Sequence, residues 1–164
     1  MAGVRWVYQS PRGEVDHLLL GPGGIWAIEV KARGVRVHVD ADHWHYEKFD
    51  RYGNLVEHAV LQDRGGRSWG RQVREIAGDL QTFLRSRDVR ASVQTAVVLI
   101  HDRAHLGSIT NSPITILSIG TNDPLQHLRN DPVVLDTTTR STIARLIRRD
   151  HAFHTAQQTP RRPR

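Results

Sequence analysis

GEVDHLLLGPGGIWAIEVKAR, residues 13–33, sets two apolar runs on either side of Gly21-Pro22-Gly23-Gly24. A Pro-Gly pair between runs of strand length predicts a β-hairpin. Pro suits the first central position of a type II turn and Gly the second, where φ is positive. A two-residue Pro22-Gly23 loop pairs Leu20 with Ile25, Leu18 with Ala27, Asp16 with Glu29 and Glu14 with Lys31. Directly opposed Cβ atoms lie about 4.5–5.5 Å apart, so this register sets two carboxylates against each other. At an effective dielectric near 20, two unit charges about 5 Å apart repel by roughly 3 kcal/mol. A divalent cation between them turns repulsion into coordination, and Mg²⁺ takes one or two carboxylates together with water and phosphate oxygens. Lys31 follows Glu29 by two residues, so strand alternation puts both on one face. Two acids and a lysine on one face suit metal-assisted phosphodiester hydrolysis, in which a bound water loses its proton easily and the lysine orients it. The competing reading is an exposed hairpin end, because a loop one residue longer moves Asp16 off Glu29.

The arrangement of an Asp, twelve intervening residues and then Glu-Val-Lys resembles the PD-(D/E)xK nuclease core. More narrowly, the span resembles the nuclease-related domain, NERD, whose pattern reads G-E-x-D-H, an apolar run, G-P-x-G, a second apolar run and E-x-K. The resemblance continues to about residue 87. It implies an α/β fold with a restriction-endonuclease-like core, a central mixed β-sheet flanked by helices. It implies Mg²⁺ as cofactor, with Mn²⁺ as its substitute, and DNA as the partner. Asp16 and Glu29 match the metal-binding acids and Lys31 the catalytic lysine. His17 matches the family's Asp-His pair; lying on the opposite face from Asp16, it is expected to be structural. Family members usually carry a helix with a glutamate before the first strand. Here the sequence reaches that strand almost at once, so the first family helix is expected to be missing.

The chain has 164 residues, 38% hydrophobic and 24% charged, which fits one globular domain. We expect residues 1–155 to form it and 156–164 to be a basic, disordered tail. There are no cysteines, so disulfides and thiolate metal sites are excluded. No apolar stretch reaches the roughly 18 residues that span a bilayer, and the first residues lack the apolar core of an export signal. The expected location is the cytoplasm, without a membrane partner. A formal net charge of +6 favours a polyanion. Nothing in the sequence fixes the oligomeric state.

Along the chain, residues 4–9, 14–20, 25–31, 35–39, 43–49, 92–100 and 114–119 read as strands, with 35–49 a hairpin extending one edge of the sheet. Residues 55–66 read as a loop bordering a groove. Residues 68–87 are the clearest helix, with Ser68 as N-cap and Trp69, Val73, Ile76, Leu80, Phe83 and Leu84 as its apolar stripe. A short helix follows with Asp123 as cap and Pro124 at its first position, and residues 137–151 form a last one. Gln72 resembles the glutamine of the family's N-P-x-x-Q element, with Ser68-Trp69 standing where the family has Asn-Pro, and would support the metal site. Arg67, Arg71 and Arg74 cluster where a helix N-terminus favours phosphate, and are the candidate nucleic-acid contacts. His38, His43 and His45 match no standard zinc spacing, and His101-Asp102 is a weaker acid–base candidate. The expected function is Mg²⁺-dependent DNA cleavage; the alternative is an inactive nucleic-acid-binding module on the same scaffold.

Overall fold

The computed structural model describes residues 4–6, 15–119 and 132–158. The expectations for Glu14, for the helix at Asp123 and Pro124, and for most of the basic tail lie outside these residues. Strands β1 (Val4–Trp6), β2 (Val15–Gly21), β3 (Gly24–Lys31), β7 (Val93–Leu99) and β9 (Thr115–Ser118) form one sheet, in the order β1-β2-β3-β7-β9. β2 is antiparallel to both β1 and β3, while β7 is parallel to both β3 and β9. The sheet is therefore mixed, as expected. Pairs from Gly21–Gly24 to His17–Ile28 follow the register that a two-residue loop dictates. The turn itself is not type II. Positive φ falls at Gly24 (+126°) and not at Gly23.

Strands β4 (Arg36–Asp40), β5 (His43–Phe49), β6 (Leu55–Val60) and β8 (His105–Thr110) build a second sheet, ordered β6-β5-β4-β8. This corrects the expectation that residues 35–49 extend an edge of the first sheet. The cause is the inner face of the hairpin: Val37, Val39, Trp44 and Tyr46 are buried in the same core as Ile25, Ala27, Val97 and Leu99. An apolar face this complete has to be laid over another apolar layer, and β8 takes the open edge of β4 in parallel. Residues 55–60, expected as loop, are β6, antiparallel to β5. All of β6 except Ala59 is exposed, so no alternation announces it; β8 was missed for the same reason.

Helix α1 (Trp69–Arg85) packs on β3 and β7. Ser68 caps it, its Oγ accepting from the Arg71 N–H at 3.1 Å. Val73, Ile76, Leu80 and Leu84 are buried on its inner side, and each fully buried aliphatic side chain contributes about 1.5–3 kcal/mol. Helix α2 (Thr137–Gln158) places Ile143 and Ile147 in the same core. Asp136 holds its start by accepting from the Thr139 N–H at 2.8 Å. Trp26, Ile28, Ala96, Val98 and Leu117 form a separate cluster. Among the described residues, no helix is long and apolar enough to cross a membrane.

Candidate active site

β3 is the central strand of the five-stranded sheet. Its side chains alternate: Ile25 and Ala27 enter the main core, Trp26 and Ile28 the separate cluster. Glu29 and Lys31 continue the first series. Glu29 is 4% exposed, and its Oε1 stands 2.5 Å from Lys31 Nζ. A carboxylate at this depth is costly to bury without bonded partners, and the Lys31 ammonium is one of them. The same ammonium lies 5.3 Å from the centroid of the Trp69 ring.

Asp16 reaches the site by a different route from the one its register implied. Pairing between β1 and β2 moves from Val4–Leu18 to Trp6–Val15, a step of two residues on β1 against three on β2. β2 is therefore bulged between Val15 and Leu18. The β2–β3 ladder closes at His17–Ile28, so Asp16 and Glu29 are not a ladder pair. The Ile100 N–H donates to the Lys31 carbonyl at 3.1 Å, which turns the Lys31 backbone towards β7 and the Val30 backbone towards β2. In a continued ladder the Val30 N–H would bond the Val15 carbonyl. Instead it donates to Asp16 Oδ2 at 2.8 Å. A bulge that re-aims a side chain is a recurrent device beside active sites. Here it fastens one acid to the backbone of the residue between the other acid and the lysine.

Two carboxylates are hard oxygen donors of the kind that Mg²⁺ and Mn²⁺ accept. Among the described residues, no cluster of three or more His, Asp or Glu could hold a metal.

The remaining candidates are spread differently. Gln72 is half-buried in the first turns of α1, and its side chain makes no hydrogen bond among the described residues. All three arginines are ion-paired. Arg67 bonds Asp63 at 2.7 Å and Glu75 at 3.3 Å, Arg71 bonds Glu75 at 2.9 Å, and Arg74 pairs with Asp42. Hydrogen bonds from the Arg67 backbone hold the Asp63 carboxyl below its ordinary range, and bonds from Arg71 and Arg67 outweigh burial to do the same for Glu75. Arg71 has the most open side chain of the three, at 60%.

The histidines form a row, not a chelate. His38 and His45 stack at 4.8 Å with rings nearly parallel, and His58 meets His45 edge-on at 5.3 Å. His38 Nδ1 accepts from the Ser108 N–H at 3.1 Å, leaving Nε2 to donate to Glu47 at 3.3 Å. Both of its nitrogens are thus occupied. His101 Nδ1 lies 2.7 Å from Asp102 just past β7, with the ring packed on Gly34. Trp69 is buried in the main core, as its place in the apolar stripe implies; what sequence reasoning missed is that its ring also lies beside Lys31.

The family profile described as nuclease-related domain, NERD, matches residues 1–100. No curated protein and no solved structure matches the chain.

Proposed function

Since the chain belongs to the nuclease-related domain family, we propose that it is a metal-dependent nuclease that hydrolyses phosphodiester bonds of DNA, with Asp16 and Glu29 holding the cation. The observation that carries this reading is the buried Glu29–Lys31 pair, with the Asp16 carboxylate fixed to the backbone between them. Mg²⁺ or Mn²⁺ held there would supply a water of lowered pKa and positive charge opposite the phosphate. Lys31 orients the attacking water and offers its ammonium to the charge that develops on the phosphate oxygens. The Val30 N–H fixes the Asp16 carboxylate in direction. Gln72 supports the site from α1. Of the basic residues near the helix start, Arg71 is the first candidate for a backbone phosphate, since most of its side chain is open to solvent.

A second reading, a DNA-binding module that does not cleave, draws on one feature. Lys31 and Glu29 already satisfy each other at 2.5 Å. One assay separates the two readings: the full chain is incubated with labelled duplex and single-stranded DNA, with Mg²⁺, Mn²⁺ or chelator. Metal-dependent cleavage that Glu29→Gln abolishes supports the nuclease. Salt-dependent binding without cleavage supports the module. Neither binding nor cleavage overturns both.

A further inference from the structure

The family pattern resembled by residues 68–72 places Pro at the first helical position, where a missing N–H costs nothing. This chain has Trp69 there, and its ring faces the one lysine of the site. Lys31 Nζ lies 5.3 Å from the ring centroid, within the range of a cation–π contact. Trp69 is only 7% exposed, so the contact is shielded from water on the ring side. The ring does not choose this position alone. It meets Trp44 of β5 edge-to-face, with centroids 6.0 Å apart and planes at 61°. Trp44 in turn lies against Gly70, where a Cβ would stand 3.0 Å from the indole. Any larger residue at 70 would push Trp44 away from the helix. A wedge thus runs from the second sheet through two indoles to the end of β3.

We propose that Trp69 is a positioning residue for Lys31: its ring face, propped by Trp44 against Gly70, holds the ammonium over the Glu29 carboxylate. Glu29 alone fixes one contact of a long, flexible side chain. An ammonium on a four-carbon stem has many rotamers that keep one such contact. The indole face supplies a second contact from the opposite element and removes most of those rotamers. The lysine is therefore aimed by two parts of the fold, β3 below and α1 above. This rests on the nuclease reading for its consequence but not for its test.

The chain has only two lysines, Lys31 and Lys48, and Lys48 on β5 is 54% exposed. Reductive methylation followed by mass spectrometry then reads Lys31 against an internal standard, without any appeal to cleavage. Trp69→Leu keeps an apolar side chain but removes the ring face; Trp69→Phe keeps a ring. The expected result is a Lys31:Lys48 labelling ratio raised about two- to fivefold in Trp69→Leu, the range that a cation–π contact of ordinary strength gives, and nearly unchanged in Trp69→Phe. An unchanged ratio in a folded Trp69→Leu overturns the proposal, as does an equal rise in both variants. If circular dichroism shows Trp69→Leu unfolded, Trp69→Met makes the same comparison. Where the wild type cleaves DNA, Trp69→Leu should lower kcat with little change in KM. Where it does not cleave, the labelling ratio still decides the role of Trp69, and only the nuclease reading fails.

Discussion

The imidazole of His38 lies directly over Gly107, so close that a Cβ at residue 107 would overlap the ring. The ring cannot swing aside cheaply, because Ser108, Glu47 and the stacked His45 hold it. Gly107→Ala should therefore destabilise the fold by about 1–3 kcal/mol, the usual cost of overpacking. In a double-mutant cycle with His38→Ala, removing the ring should recover much of that loss. Urea denaturation of the four proteins measures it, and strict additivity would mean that β8 accommodates the methyl by itself.

Lys31→Met leaves both acids and the bulge of β2 in place. It should reduce cleavage about a hundredfold or more, as loss of a charge-stabilising group in a preorganised site does, while DNA binding without metal persists. Asp16→Asn, which weakens a metal donor, should lower metal affinity by calorimetry. Equal metal binding by wild type and Asp16→Asn would move the ion elsewhere.

The three arginines near the start of α1 should separate into two kinds. Arg67 joins Asp63 to Glu75 from a half-buried position, so Arg67→Gln should lower stability, by no more than about 1 kcal/mol after solvent screening. Arg71→Gln should leave stability nearly unchanged. If Arg71 touches phosphate, it should reduce the salt slope of DNA binding by about one. Thermal melts and fluorescence titrations across salt distinguish the two. A salt slope identical to wild type would remove Arg71 from the interface.

Burial, and then the neighbouring His38 and His58, push the His45 imidazole below its ordinary value of 6.5, against a smaller opposing pull from Glu47. The folded chain therefore resists a proton that the unfolded chain accepts. The contribution of neutral His45 is complete above the unfolded value and falls as pH drops below it. Stability should decline between about pH 7 and about pH 5, in the range where histidines titrate, and His45→Gln should flatten that decline. The lowered carboxyls, Asp63 and Glu75 among them, add a further loss only at more acid pH. Denaturation midpoints measured on both proteins across this range give the answer, and parallel curves would exclude His45 as the cause.

The hairpin was legible because Pro22 and Gly23 cannot continue a strand, and the apolar runs beside them fix the register up to His17. The same reasoning placed Glu29 and Lys31 on one face, since alternation along a central strand leaves no other choice. It failed for Asp16, because a bulge depends on how β1 docks against β2 and not on local residue types. The second sheet was hidden for a related reason. Val37, Val39, Trp44 and Tyr46 alternate equally well at a sheet's edge or in a facing layer, and only the three-dimensional core decides. Arg67, Arg71 and Arg74 looked like phosphate ligands while their acids, Asp63, Glu75 and Asp42, were not known to be neighbours.

Lys31 is the last residue of β3, and Arg36 the first of β4 in the other sheet. The chain crosses between the layers in the four residues 32–35, while Trp44 of the second sheet meets Trp69 of α1. The ammonium thus sits where the two layers are stitched together, and sliding of one over the other would be felt there before the core came apart. A longer crossing should then loosen the placement of the lysine. The shortness of that stitch becomes a condition on where the ammonium is held as much as on the fold.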